Sequence, residues 1–254
     1  MLGKIYKELI TIILLFLVCW YAFILLIPST DIDLSVSSEM EESLGDKMAL
    51  QIIGDLGGES NDSAKTLIID TIQNRLLGSL KTSRFNYEFH LVNSTQINAF
   101  AGMGGHIFIT TGIVDFCETP EQLAAIIAHE MGHVEHRHVL TKLSRDLGVA
   151  VLILISSGGD PSILAKVISH TVSTSFSRNH EEEADDFGLK LLEKSRLKPV
   201  HMATVFIKLK THTKDQSIEI PAFFSTHPDL SDRINNAAKY KTKDDFSEAP
   251  FELE

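Results

Sequence analysis

One short run constrains this chain more than any other: residues 129–138 read H-E-M-G-H-V-E-H-R-H. His129 and His133 are four residues apart, which on a helix puts both imidazoles on one face, about 40° apart around the axis. Two imidazoles placed in this way can reach one zinc ion, with Glu130 between them. H-E-x-x-H is short enough to occur by chance, so an ordinary amphipathic helix rich in histidine is the alternative on this run alone.

The residues before this run predict that it is helical. Thr119 is a suitable N-cap, Pro120 suits the first helical position, and Gln122 suits the third position of a capping box. Apolar side chains then recur at helical spacing, at Leu123, Ile126, Ile127, Met131 and Val134.

A catalytic zinc site usually has three protein ligands and one open position, so a third ligand is needed. The pattern H-E-x-x-H-x-x-G-x-x-H fails, because position 136 is His and position 139 is Val. The other common solution is a glutamate on a later helix, and residues 177–188 fit it. Glu181 and Asp185 share a helix face, so Glu181 can bind the metal while Asp185 orients a ligand histidine. Alone, this segment is more typical of a solvated helix start, but beside the two histidines it favours a metal site.

Four segments occur in a characteristic order. They are N-A-F-A-x-x-G-G-H-I-F-I-T-T-G (98–112), H-E-M-G-H-V-x-x-R-H (129–138), S-R-x-x-E-x-x-A-D-x-x-G (177–188) and T-H-P-x-x-x-x-R-I (226–234). On these segments the chain resembles the membrane-linked zinc metalloendopeptidases that include HtpX, BepA and the CAAX prenyl protease. It looks most like the periplasmic, BepA-like branch, and we expect it to lack the C-terminal helical repeats that this branch can carry.

The resemblance implies roles for five residues. His129, His133 and Glu181 would bind one Zn²⁺ per chain, Glu130 would be the general base, and Asp185 would support a ligand histidine. Met103 departs from the family pattern, which usually has proline at that position.

His227 matches a histidine that in BepA-like proteins can occupy the open zinc position and hold the enzyme latent. It is therefore either such a switch or an ordinary loop histidine before Pro228. For His136 we predict a polar or supporting role near the site, and for His138 a packing or hydrogen-bonding role on the opposite helix face. Arg178 and Arg233 are candidates for ion pairs near the site, with solvated surface charges as the alternative.

A β-hairpin is predicted before the histidine helix, because an extended stretch within residues 85–100 is followed by a glycine turn and residues 106–111. In zincins an edge strand beside the metal binds substrate as an added strand, with little demand on sequence. Mostly on the resemblance, we assign this edge to Gly104, Gly105, His106 and Ile107, with an ordinary sheet strand as the alternative. Such binding requires an extended substrate, which suits unfolded or misfolded proteins.

Residues 9–27 form an uncharged apolar stretch of roughly 28 Å in helical form, enough to span a bilayer core. Lys4 and Lys7 precede it and acidic residues follow, so the positive-inside rule places the later domain outside the cytoplasm. A cleaved signal peptide is the rival. We expect a single-pass inner-membrane protein with its catalytic domain on the periplasmic side, or alternatively a mitochondrial inner-membrane protein. A second apolar segment, 148–157, is too short to span and is either a buried helix or a surface that touches lipid.

The predicted fold class is α+β: a mainly helical zincin domain of gluzincin type with a small β-sheet and one N-terminal transmembrane helix. Residues 1–30 would be the anchor, 31–240 the metallopeptidase domain, and 241–254 a frayed acidic tail. The net charge of −11 argues against nucleic-acid binding. Cys19 and Cys117 are not expected to pair within the chain.

Together these features predict a membrane-anchored zinc metalloendopeptidase that hydrolyses unfolded or misassembled envelope proteins, in protein quality control. Adaptor or assembly-machinery proteins are possible further partners. One alternative is a latent or chaperone-like zinc-binding protein of the same fold. Another is a structural zinc protein whose site is closed by four residues.

Overall fold

The computed structural model describes residues 36–148, 175–212, 222–227 and 230–251. Contacts divide the chain into Met1–Ser35 and Val36–Glu254, and every described residue belongs to the second unit. The predicted span at 9–27 and residues 149–157 of the second apolar segment lie outside the described residues. Among the residues that are described, no helix is both long and apolar enough to cross a membrane.

The described part is mainly helical with one small sheet, which confirms the α+β prediction for this part of the chain. Its helices are α1 (Ser38–Asp55), α2 (Ser63–Ser79), α3 (Thr111–Phe116), α4 (Pro120–Glu135), α5 (His138–Leu147), α6 (Arg178–Lys194), α7 (Val200–His212), α8 (Ala222–Thr226) and α9 (Leu230–Lys239). Its strands are β1 (Glu88–Val92), β2 (Ala99–Ala101) and β3 (His106–Thr110).

Helix α4 begins as predicted and carries the H-E-x-x-H run. The Thr119 side chain accepts a hydrogen bond from the Gln122 N–H, and Pro120 occupies the first turn. The Gln122 amide oxygen accepts from the Glu118 N–H at 2.9 Å, so the capping bond reaches one residue further back than a capping box. Side chains on every face of α4 are buried, because the helix packs against α6, α7 and β2.

Small residues bring α4 and α6 unusually close. A Cβ added at Gly132 of α4 would lie 2.7 Å from the Cα of Ala184 in α6. One turn along, a Cβ at Gly188 of α6 would lie 3.1 Å from the backbone nitrogen of His129. This close approach lets the carboxylates of Glu181 and Asp185, in the first half of α6, reach the histidines of α4.

The sheet has the order β1-β3-β2, with β1 parallel and β2 antiparallel to β3. The predicted hairpin is therefore present as β2–β3, and its turn uses positive φ at Gly104 (68°) and Gly105 (103°). A Cβ at Gly104 would lie 2.6 Å from the Cα of Glu42, so the turn also packs against α1.

The assignment of Gly104, Gly105, His106 and Ile107 to a substrate-binding edge is wrong for this sheet. The two glycines form the turn, and His106 and Ile107 begin the central strand, which pairs on both sides. The long-range parallel pairing of β1 with β3 fills the side that a hairpin alone would leave open. The outer strand next to α4 is instead β2.

Residues 241–251 do not fray from the domain. The Ala249 N–H donates to the Arg196 carbonyl at 2.8 Å, and the Phe251 N–H donates to a Glu121 carboxylate oxygen at 2.9 Å. The Arg75 guanidinium donates to the Ala249 carbonyl and lies over the Phe251 ring. These contacts fix the segment against α2, the start of α4 and the residues just after α6, without regular secondary structure.

Candidate metal centre

Four side chains from three parts of the chain meet inside the domain. They are His129 and His133 of α4, Glu181 of α6, and His227 just after α8. One nitrogen or oxygen from each lies within 4.8 Å of the others, and all four residues are buried. The Nε2 atoms of His129 and His133 are 3.1 Å apart, and His227 Nδ1 lies 3.2 Å from His129 Nε2 and 3.0 Å from Glu181 Oε1. This convergence matches the sequence-based ligand set plus the predicted switch residue.

Asp185 sets the orientation of the His129 ring. Its Oδ1 lies 2.9 Å from His129 Nδ1. A carboxylate accepts but does not donate, so His129 carries its proton on Nδ1 and directs the Nε2 lone pair toward the other three residues. This is the role that the spacing of Glu181 and Asp185 predicts.

His133 is oriented by a second chain of contacts that the sequence did not indicate. Its Nδ1 lies 2.9 Å from Nδ1 of His138, whose Nε2 lies 2.9 Å from Glu183 Oε2. Since Glu183 accepts a hydrogen bond from the Nε2–H of His138, Nδ1 of His138 carries no proton and accepts a hydrogen bond from the Nδ1–H of His133. The lone pair on His133 Nε2 then points to the centre of the cluster. Burial holds the pKa of His138 low, at about 2, so this histidine stays neutral.

The end of α4 explains why the helical wheel misplaced His138. The helix stops at Glu135, and Arg137 adopts a left-handed conformation with φ of 55°. The chain therefore turns back and His138 starts α5 against His133, whereas a continuous helix would point it away. His136 bonds the Gly132 carbonyl and stacks on His138.

Arg233 of α9 pairs with the two carboxylates that α6 contributes to the centre. Its Nε and Nη2 donate to the two oxygens of Asp185 at 2.6 and 2.8 Å, and its Nη1 pairs with Glu181. Burial alone would raise the pKa of Asp185, but Arg233 and His129 lower it to about 2. Of the two predicted ion-pairing arginines, Arg233 is therefore a buried partner of the site.

Glu130 lies beside the cluster, and only one of its two carboxylate oxygens accepts a hydrogen bond within the described residues. Its Oε2 accepts the Ala101 N–H of β2 at 2.8 Å. Its Oε1 has no hydrogen-bond partner in the described part of the chain and lies 3.4 Å from His227 Nε2, which is likewise unpartnered there. Burial raises the pKa of Glu130 to about 8. A nearby positive charge would lower that pKa again.

The charges and donor types suit a divalent cation. Glu130, Glu181 and Asp185 supply three negative charges when ionised, and Arg233 supplies one positive charge, all in a buried volume. The excess of about two negative charges is costly to bury without a counter-ion. Inward-facing imidazole lone pairs and a carboxylate are the ligands that a first-row divalent metal prefers.

Comparison with known proteins agrees with this geometry. Residues 63–241 match Peptidase family M48. The chain is 30% identical to the β-barrel assembly-enhancing protease of Yersinia pestis over 190 residues, which are 69% of this chain and 39% of that protein. It is 28% identical to the protein of that name in Escherichia coli K12 over 217 residues, 80% of this chain and 44% of that one. It is also 26% identical to the mitochondrial metalloendopeptidase OMA1 of Schizosaccharomyces pombe over 212 residues, 81% of this chain and 62% of the yeast protein. The chain spans less than half the length of the two assembly-enhancing proteases.

Proposed function

Because the chain belongs to peptidase family M48, we propose that it is a zinc-dependent metalloendopeptidase. The family implies a divalent metal. The observation that carries the proposal is the buried convergence of His129, His133 and Glu181, with Glu130 next to them. Three nitrogen or oxygen ligands with room for a fourth are typical of catalytic zinc, which supports zinc as the metal.

His129, His133 and Glu181 would hold the zinc, and their surroundings would keep them in place. Asp185 fixes the tautomer of His129, and the His138–Glu183 pair fixes that of His133. Zinc bound there would act as a Lewis acid that polarises the scissile carbonyl and makes water nucleophilic near neutral pH.

Glu130 would act as the general base. The Ala101 N–H holds Oε2, so Oε1 is the oxygen available to take a proton from the attacking water. The same oxygen would then deliver that proton to the leaving amine. Because Ala101 belongs to β2, this outer strand also holds the Glu130 carboxylate next to the metal ligands.

We propose that His227 is a latency switch. Its Nδ1 lies among the other ligand atoms and its ring is fully buried, stacked at 4.3 Å on Phe223. A side chain there fills the position that a substrate carbonyl would need, so the described arrangement corresponds to a closed site. Displacement of His227 would open it.

The proposed substrates are unfolded or misassembled proteins of the cell envelope. Strand β2, the outer strand beside the base, is the proposed docking edge, and pairing with a strand edge favours extended polypeptides over folded ones. Its residues are buried in the described arrangement, so docking there would require the closed site to open. The names of the relatives, which refer to β-barrel assembly and to mitochondrial proteolysis, support a quality-control role at a membrane. Anchoring by residues 9–27, a periplasmic or mitochondrial inner-membrane location, and adaptor or assembly-machinery partners belong to the same proposal.

A latent or chaperone-like zinc-binding protein is the second candidate. The observation that favours it is the four-residue cluster itself, since His227 closes the site. A permanently closed centre of this kind would bind metal without turnover.

Cleavage of unfolded casein by the full-length protein in detergent, loaded with zinc, separates the two candidates. We expect cleavage by the wild type or by His227→Ala, with faster cleavage by His227→Ala. Glu130→Gln should be inactive, whereas Glu182→Gln, at an exposed position of α6, should match the wild type. If zinc is bound but neither wild type nor His227→Ala cleaves, the chaperone-like candidate is favoured.

A further inference from the structure

A second group of histidines lies on the sheet, apart from the centre described above. His90 of β1 and His106 of β3 stand on neighbouring parallel strands, in which Glu88 is the register partner of His106. Their rings stack with centroids 5.2 Å apart, and His90 Nε2 lies 2.9 Å from His106 Nδ1. Glu88 Oε2 lies 3.8 Å from the same His106 nitrogen. Both histidine side chains are largely buried, at 11% and 4% exposure.

The outward-facing nitrogen of each ring is paired with a carboxylate. His106 Nε2 lies 3.2 Å from Asp46 Oδ1, on α1, and His90 Nδ1 lies 3.5 Å from Glu59 Oε1, in the loop after α1. Carboxylates only accept, so these outer nitrogens carry the ring protons. The two inner nitrogens then face each other as lone pairs, with a third Lewis base, Glu88, beside them.

We propose that His90, His106 and Glu88 form a second site for a divalent cation, with zinc as the best fit. Two imidazoles and a carboxylate are ligands that zinc accepts, and outer carboxylates on both rings are the usual support of metal-bound histidine. Zinc–ligand bonds of about 2.0–2.2 Å at tetrahedral angles separate the ligand atoms by roughly 3.3–3.6 Å. The observed separations of 2.9 and 3.8 Å lie on either side of that range. Glu88 is 60% exposed, so its side chain can adjust.

The position of the site gives it a structural consequence. Its ligands and their carboxylate partners come from α1, the loop after it, β1 and β3, so bound zinc would cross-link these elements. His106 directly follows the glycine turn of the hairpin whose other strand, β2, holds Glu130 through Ala101. Zinc in this second site would therefore stabilise the hairpin that positions the proposed base, without touching the reacting atoms.

The alternative is that one histidine donates a hydrogen bond to the other. The donating ring would then carry no proton on its outer nitrogen and could not donate to its carboxylate partner. Zinc binding distinguishes the two. The full-length protein in detergent would be stripped with a chelator and titrated with zinc, by calorimetry and by metal analysis after dialysis. We expect two zinc ions per chain for the wild type and one for His90→Gln or His106→Gln. His201→Gln, which alters a histidine of α7 beside Glu248, should keep two.

Further variants separate this site from the centre on α4. The double variant His129→Gln/His133→Gln should keep one zinc, and that zinc should still raise its melting temperature. Glu88→Gln changes an exposed side chain and so should fold normally. Because it removes a charged ligand, it should weaken the second zinc by at least the roughly tenfold that loss of a supporting group costs. One zinc in the wild type, removed by His129→Gln/His133→Gln, would overturn the proposal. So would two zinc ions retained by His90→Gln and His106→Gln.

Discussion

Arg233 donates two hydrogen bonds, of 2.6 and 2.8 Å, to the two carboxylate oxygens of Asp185. Oδ1 of Asp185 in turn lies 2.9 Å from His129 Nδ1. A charged group on α9 thus sets the ring orientation of a histidine on α4 through a carboxylate on α6. Planar, bidentate pairing of this kind is specific to arginine.

Replacing Arg233 with lysine should therefore weaken zinc binding at the α4 centre. Lysine keeps the charge but cannot hold both oxygens of Asp185, so His129 loses its fixed orientation. We expect the dissociation constant for the α4 zinc to rise about 10–100-fold, measured by competition with a chromophoric chelator. Arg84→Lys, at an exposed position, is the matched control. Equal zinc affinities for the two variants would show that the bidentate contact does not support the site.

His138 should behave as a positioning residue for zinc although it does not reach the metal-binding atoms. In His138→Phe an aromatic ring remains, but His133 loses the acceptor for its Nδ1–H hydrogen bond. We expect zinc affinity at the α4 centre to fall about tenfold, with little change in the circular dichroism spectrum. His136→Phe provides the comparison, because His136 bonds the Gly132 carbonyl instead of a ligand histidine. If both substitutions weaken zinc binding equally, the effect is one of packing.

Much of this centre was readable from local sequence. The cap at Thr119 and the pairs His129/His133 and Glu181/Asp185 each lie within one helix, so helical spacing predicted that each pair shares a face. The segment of Glu181 and Asp185 indicated a metal site only in combination with the two histidines. Two features depend on contacts between distant segments: the insertion of His227 among the ligands and the parallel pairing that makes β3 central. The turn that returns His138 to His133 is local, but it requires a left-handed conformation at Arg137, which helical periodicity does not reveal. The family resemblance suggested a ligand position for His227, whereas the edge assignment drawn mostly from it fell on β3, which is paired on both sides.

The close approach of α4 and α6 should make Gly132 sensitive to a single methyl group. In Gly132→Ala the new Cβ would meet the backbone of Ala184, which cannot rotate away. We expect a loss of about 1–3 kcal/mol in the free energy of unfolding, together with weaker zinc binding, because Glu181 moves with α6. Gly78→Ala, in α2, meets nothing within 4 Å and should instead gain up to about 1 kcal/mol. Urea unfolding of both variants without zinc tests the difference, and a stable Gly132→Ala protein would contradict the packing argument.

The thiol of Cys117 should be nearly inert while the domain is folded. Burial raises its pKa to about 12 from a usual value of 9.0, with Lys208 opposing the shift. Since only the thiolate reacts, three pH units correspond to an approximately thousandfold smaller reactive fraction at pH 8. In a Cys19→Ser background, we expect slow labelling by a disulfide reagent whose rate rises about tenfold per pH unit to beyond pH 9. The same protein in guanidinium should label rapidly, with the rate levelling off near pH 9. The Cys117 residue is only partly buried by solvent exposure. Rapid labelling of the folded protein at pH 8 would therefore mean that the sulfur itself is accessible to solvent.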